Sequence, residues 1–212
     1  MLSFSISWKI AVILLLGLIT LANCSTPSPG EPGEDRESSE LSTNKAHTIK
    51  NFKLKDINGK TYSLSDFSNS NAVVVMFIAT RCPYSNAYNE RMVKLYQDYH
   101  PKGIEFVGIN SNKTESIDEI KDHAAEHQFP FVILKDWNNN IADEFGASYT
   151  PEIFVLDSSR TILYHGRIDN SYKLKKVKTH DLRNALNEIL SGKPVSVAET
   201  KAFGCTIKRV DK

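Results

Sequence analysis

From residue 72 to residue 79 the chain reads Ala-Val-Val-Val-Met-Phe-Ile-Ala, without one polar side chain. A run this short, β-branched and apolar predicts a strand buried on both faces. Over residues 84–99 the pattern becomes periodic. Tyr88, Met92, Leu95, Tyr96 and Tyr99 fall on one helical face. Residues 104–110 predict another strand, and 116–127 an amphipathic helix with Ile117, Ile120 and Ala124 on one side. A short strand at 131–134 and a short helix at 140–145, closed by Gly146, follow. Upstream, residues 49–54 predict a first strand, Asn58-Gly59 a hairpin turn, 60–64 the returning strand, and Ser65-Asp66-Phe67 a short turn. Downstream, residues 153–156 and 161–168 flank the turn Asp157-Ser158-Ser159-Arg160. A last helix is predicted over 179–190, with Thr179 or Asp181 as its cap and Gly192 and Pro194 ending it. Strands alternating with helices, then a hairpin and a closing helix, predict an α/β fold with a mixed central sheet.

The first 46 residues follow a different pattern. Lys9 precedes an apolar stretch, residues 10–21, too short for a comfortable membrane span. It ends in Leu21-Ala22-Asn23-Cys24, which resembles the lipobox of bacterial lipoproteins, where cleavage precedes a cysteine that is then lipidated. Asn23 stands where that motif has Gly, Ala or Ser. Residues 1–23 are therefore read as a lipoprotein-type signal peptide and Cys24 as the lipidation site. An ordinary signal peptide, or an uncleaved anchor with an incidental cysteine, is the alternative. All three export the domain, so the expected location is the bacterial cell envelope, anchored to the membrane on its extracytoplasmic side. Residues 24–46, rich in Ser, Pro, Gly and Glu, bury too little apolar surface to offset chain entropy and are read as a disordered tether. The folded domain is expected over 47–212, with a C-terminal extension at 193–212.

The chain has 212 residues, 41% of them hydrophobic, enough for one core. A formal net charge of +1 and two tryptophans give no support for nucleic acid as a partner. No glycine-rich phosphate loop occurs, and no cofactor or metal is expected. His123 and His127 have the i, i+4 spacing of metal ligands, but no metalloprotease glutamate or nearby cysteine accompanies them, so they are read as a solvated helix face. Asp118, Glu119, Lys121 and Asp122 read as solvent-facing charges, and Trp137 as a packing or capping residue.

Three cysteines remain to be placed. Cys82 lies between the apolar strand and the helix, in Arg81-Cys82-Pro83-Tyr84-Ser85. Free N–H groups at a helix start favour thiolate over thiol, and Arg81 adds a positive charge. The bland alternative is a small buried hydrophobe. With Cys24 lipidated, Cys82 and Cys205 are the minimum for a disulfide in an oxidising compartment.

Several segments, in order from about residue 49 to 208, resemble the thioredoxin superfamily, and within it the redoxin branch (alkyl hydroperoxide reductase/thiol-specific antioxidant) and its peroxiredoxin-like proteins. They are Phe77-Ile78-Ala79-Thr80-Arg81-Cys82-Pro83-Tyr84, Gly103-Ile104-Glu105-Phe106-Val107-Gly108-Ile109-Asn110-Ser111-Asn112, Tyr149-Thr150-Pro151-Glu152-Ile153-Phe154-Val155-Leu156-Asp157, Tyr164-His165-Gly166-Arg167-Ile168-Asp169 and Phe203-Gly204-Cys205-Thr206-Ile207-Lys208. The resemblance implies a thioredoxin fold with an N-terminal β-hairpin, and Cys82 as nucleophile supported by Thr80, Arg81, Pro83, Ser85, Thr150, Pro151 and Arg167. It implies a cis bond at Pro151 that brings the Thr150 backbone beside the Cys82 sulfur, where an extended thiol substrate pairs like an added strand. Arg167 either steadies a thiolate or anionic substrate or forms a surface salt bridge.

The chain also departs from these relatives. Ser85 stands where a reductase carries its second cysteine, Ala79 where peroxiredoxins carry a threonine, and Tyr149 where a related subfamily has a cysteine. The peroxiredoxin arginine of the later strand is absent. A local Cys82–Ser85 disulfide is chemically excluded, which leaves Cys205 as a resolving cysteine, a structural staple or a free thiol. The expected activity is thiol–disulfide exchange or hydroperoxide reduction, with a thiol or disulfide protein or a hydroperoxide as substrate and an unidentified thiol as electron donor. The alternative is a thioredoxin-fold binding module that has lost catalysis.

Overall fold

The computed structural model describes residues 47–211. The expected signal 1–23, the lipidation site Cys24 and the tether 24–46 lie outside the described residues.

The predicted hairpin forms from β1 (Lys53–Asp56) and β2 (Thr61–Ser63), paired antiparallel. Asp56 Oδ1 accepts the N–H groups of Asn58 and Lys60 at 2.9 and 2.8 Å, which shapes the turn. The first strand begins at Lys53 rather than at Ile49. Ile49 is fully buried instead, its N–H bonded to the Arg160 carbonyl.

The apolar run forms β3 (Ala72–Phe77), buried at every position. The predicted helix over 84–99 is two helices, α1 (Pro83–Asn86) and α2 (Asn89–Tyr99). The chain bends between them because Tyr88 N–H bonds back to the Ser85 carbonyl, while the freed Ala87 carbonyl is taken by the Arg91 guanidinium at 2.9 Å. Next come β4 (Ile104–Asn110) and α3 (Ile117–Glu126), whose N-cap Ser116 accepts the Glu119 N–H. β5 (Val132–Lys135) leads to α4 (Asn140–Phe145), which Gly146 closes in the left-handed region at φ 69°. β6 (Tyr149–Thr150), β7 (Glu152–Leu156), β8 (Ile162–Gly166), α5 (Asp181–Leu190) and β9 (Cys205–Thr206) complete the strands and α-helices among the described residues. Neither Thr179 nor Asp181 caps α5. His180 precedes its first turn, and the Thr179 hydroxyl donates to Asp181.

Seven strands make one mixed sheet in the order β2-β1-β5-β4-β3-β7-β8. β3 is parallel to β4 and antiparallel to β7. The period-two alternation of β3 divides its side chains between two apolar layers. Val74 and Met76 pack with Tyr88, Met92, Leu95, Ile120, Leu182 and Leu186 from the helices on one face. Val73, Val75 and Phe77 pack with Phe145, Phe154 and Leu156 on the other. Each such side chain contributes about 1.5–3 kcal/mol on full burial, so β3 is a rigid base for the loop that follows it. β6 and β9 stand apart as a two-stranded ribbon.

Candidate active site

Beyond Phe77 the chain leaves the sheet through Ile78, Ala79, Thr80 and Arg81 and reaches Cys82, the N-cap of α1. Pro83 occupies the first helical position, where no N–H is needed. Cys82 Sγ accepts the Ser85 N–H at 3.3 Å, and as a thiol it donates to the Thr150 carbonyl at 3.1 Å. Ser85 is buried, and its hydroxyl accepts the Ala79 N–H at 3.2 Å, tying the turn to the end of β3. Because α1 is a single four-residue turn, the sulfur gains one directed N–H rather than the dipole of the long helix expected from the sequence.

Thr150 reaches the sulfur from the other side. The Thr150–Pro151 bond is cis. The buried Glu152 carboxylate accepts the N–H groups of Ser148 and Tyr149 at 2.7 and 2.8 Å, and its other oxygen meets His165 Nε2 at 2.7 Å. This carboxylate holds β6 in place.

The C-terminal extension returns over the site as β9, with Tyr149 opposite Thr206 and Thr150 opposite Cys205. Gly204 permits the approach, because a Cβ there would lie 2.1 Å from the Thr150 carbonyl oxygen. The two cysteines are both free, line the same cleft and are close enough that each shifts the other's ionisation. Burial pushes the Cys82 thiol up. Hydrogen bonds from the Cys205 thiol, from Thr150 and from the Ser85 and Cys205 backbones outweigh it, so the net shift is below the usual thiol value. Cys205 moves the opposite way, raised by burial and by the sulfur it serves. The arrangement eases ionisation of Cys82 and opposes that of Cys205.

Arg81 is placed differently from expectation. Its guanidinium makes a two-pronged bond to Glu119 at 2.6 and 2.8 Å, so its charge is neutralised rather than directed at the sulfur. Glu119, expected to face solvent, also accepts the Thr80 hydroxyl at 3.0 Å. Arg167 bonds Asp181 Oδ2 at 2.7 Å, which corresponds to the salt-bridge alternative, and it is not among the residues lining the cleft at Cys82. His123 is not solvated. It is half-buried, bonds the Asn89 amide at 3.2 Å and lies edge-on to His127 and Phe129.

Several supporting residues escaped the sequence reading. The buried Glu115 carboxylate accepts the N–H groups of Thr80 and Arg81 at 2.9 and 3.1 Å, and also the Asn110 amide. Lys135 Nζ, buried beneath, donates to Asn110 Oδ1 at 2.8 Å and the Asn112 carbonyl at 2.7 Å. Burial lowers its pKa to about 8. Asn112 in turn accepts the Lys208 N–H of the extension at 2.8 Å. This polar network connects the Cys82 loop to the segment carrying Cys205. No local periodicity marks its members. A cleft of about 190 Å³ opens between the two cysteines, lined by Arg81, Asn112, Thr114, Glu115, Thr150 and Lys208 among others.

Residues 46–165 match the model of the AhpC/TSA family, more than half of the chain. The chain belongs to that family. Its fold is the thioredoxin fold. Peroxiredoxin Q of Triticum aestivum chloroplasts is 30% identical over 121 residues, 54% of each chain. The thiol-disulfide oxidoreductase ResA of Halalkalibacterium halodurans is 26% identical over 118 residues, 56% of this chain and 62% of that one. This chain therefore spans a little over half the length of these curated relatives. A crystal structure of a hypothetical protein, SMc02350 of Sinorhizobium meliloti 1021, superimposes with a TM-score of 0.74 at 32% identity, covering 79% of this chain and 95% of that one. The matched family segment ends at residue 165, so Cys205 and β9 lie beyond it.

Proposed function

We propose that this protein is a thiol oxidoreductase in which Cys82 is the nucleophile and Cys205 the resolving thiol. The observation that carries this reading is the meeting of two free cysteines, distant in sequence, in one cleft: Cys82 bonds the Thr150 carbonyl, Cys205 pairs with Thr150 across the ribbon, and their pKa values shift in opposite directions. The Cys82 thiolate attacks one sulfur of a disulfide, forming a mixed disulfide and expelling the other sulfur as a thiolate. With a hydroperoxide it takes the terminal oxygen as a sulfenic acid and releases an alcohol. The Cys205 sulfur then attacks the Cys82 sulfur and forms the Cys82–Cys205 disulfide. The second thiolate leaves in the first case, or water in the second, carrying the Cys205 proton. The substrate gains two electrons, and an external dithiol, or two monothiols, returns the pair to its reduced state. Thr150 and Ser85 position the nucleophile, and Glu115 fixes its loop. Support comes from the family and from the names peroxiredoxin Q and ResA among its relatives.

The same reading places the domain outside the cytoplasm on a lipid carried by Cys24. The apolar stretch ending at that cysteine supports this. No helix among the described residues is long and apolar enough to cross a membrane. Labelling cells with an alkyne fatty acid gives a tagged protein that Cys24→Ser abolishes; undiminished labelling overturns the anchor.

The redox reading is tested with one equivalent of oxidant and intact-mass analysis. Wild type loses two hydrogens as the internal disulfide forms. Cys205→Ser accumulates the mixed disulfide or sulfenic acid, and Cys82→Ser stays unmodified. Oxidation of Cys82→Ser at the wild-type rate overturns the proposal. Burial of Cys82, 4% exposed, favours the second reading, a non-catalytic binding module, and a wild type left unmodified by the oxidant would select it.

A further inference from the structure

Given that Cys82 and Cys205 act as the redox pair proposed above, we infer that β9 is a built-in occupant of the polypeptide-docking edge beside Cys82. It restricts the site to small molecules carrying the oxidising bond and excludes extended polypeptides. An extended peptide binds a sheet edge through unpaired backbone N–H and C=O groups. The edge nearest the sulfur is β6, which contributes no strand to the seven-stranded sheet, and its partner among the described residues is β9. Thr150 is paired with Cys205, and the Ser148 carbonyl accepts the Ile207 N–H at 3.0 Å. The chain's own backbone fills the place that a substrate strand requires.

The occupant is fastened on both sides. Before β9, the Phe203 ring meets Tyr84 of α1 edge-on at 6.4 Å between centroids. Gly204 lies so close to Thr150 that any side chain at this position would strike its backbone. After β9, Ile207 is buried in the core, the Lys208 N–H donates to Asn112 Oδ1 and its carbonyl accepts the Lys113 N–H, each at 2.8 Å, and the Val210 N–H reaches Asn139 Oδ1 at 2.7 Å. Arg209 closes the clamp on Asp143 and the Ala147 carbonyl. What stays open is the cleft of about 190 Å³ leading to both sulfurs. It falls below the range of roughly 300 Å³ and upward typical of drug-sized ligands. A polypeptide reaches the sulfur only in the fraction of molecules from which β9 has detached, and its apparent rate falls by that fraction.

The experiment uses the full chain, wild type, Gly204→Val and Arg209→Ala. It uses two probes with the same leaving group, bis(2-hydroxyethyl) disulfide and an extended ten-residue peptide whose central cysteine carries a 2-mercaptoethanol mixed disulfide. The rate at which each consumes the Cys82 thiol is followed by mass spectrometry, with Cys82→Ser as the blank. In wild type the small disulfide reacts at least about tenfold faster than the peptide, and the ratio of peptide rate to small-disulfide rate rises about tenfold in Gly204→Val and about threefold in Arg209→Ala. The ratio cancels any change in Cys82 reactivity common to both probes, and Arg209→Ala carries the test should the valine variant not fold. Equal wild-type rates, or a ratio unmoved in both variants, overturn the inference and leave the redox pair standing. Reaction with neither probe, nor with hydrogen peroxide, beyond the Cys82→Ser blank overturns the proposed function and this inference with it.

Discussion

Cys205→Ala removes one thiol donor and leaves the Cys205 backbone in place, which isolates the side-chain contribution to the Cys82 thiolate. A hydrogen bond to a charged group contributes about 1.5–3 kcal/mol, and S–H is a weak donor, so the low end applies. At 1.36 kcal/mol per pKa unit, the loss raises the Cys82 pKa by about one unit. Below both midpoints the thiolate population drops about tenfold, while the more basic sulfur is about threefold more nucleophilic per thiolate at a Brønsted slope near 0.5. The variant is therefore alkylated about threefold more slowly at pH values below both midpoints and about threefold faster at alkaline pH, where both proteins are ionised. The two pH–rate curves cross. Iodoacetamide modification from pH 5 to 10, resolved by peptide mass mapping, reads this directly. Cys205→Ser keeps a hydroxyl donor and shifts the midpoint less. Curves that stay parallel, or a midpoint that falls, refute the assignment of Cys205 as the thiolate's donor.

Three further outcomes follow from the surroundings of the site. Glu115→Gln loses a buried anion that accepts two backbone N–H groups. It destabilises the fold by about 2 kcal/mol in urea unfolding, and an unchanged midpoint contradicts the role given to the carboxylate. Lys135 has its folded pKa depressed to about 8. Below pH 8 the ammonium is bound in both folded and unfolded states and the burial cost is fully present; as pH rises toward 10.5 only the unfolded state still binds the proton, and stability rises. Wild type therefore gains about 3 kcal/mol relative to Lys135→Met between pH 7.5 and 10.5, and a constant difference refutes the burial argument. Arg81→Ala moves the Cys82 alkylation midpoint by less than about 0.3 unit, since an exposed charge already bonded to Glu119 acts weakly through solvent; a rise of a full unit restores Arg81 as the activator.

The sequence by itself determined the elements that local rules govern. The β3 run is apolar because both its faces are covered, the Gly146 stop works within one turn, and the Asn58-Gly59 turn needs only its neighbours. The position of Cys82 after β3 was legible for the same reason. The tertiary structure alone decided what the sulfur meets. Arg81 turned to Glu119, the expected long helix bent at Ala87 where Arg91 takes its carbonyl, and Glu115 and Lys135 came together beneath the loop. The contact of Cys205 with Cys82 depends on Gly204 passing against Thr150 and on the clamp at Asn112 and Asn139. Periodicities of 2 and 3.6 residues report which way a side chain faces within its own element. They carry no information on which distant side chain waits there, and that is settled only when the sheet and its extension close.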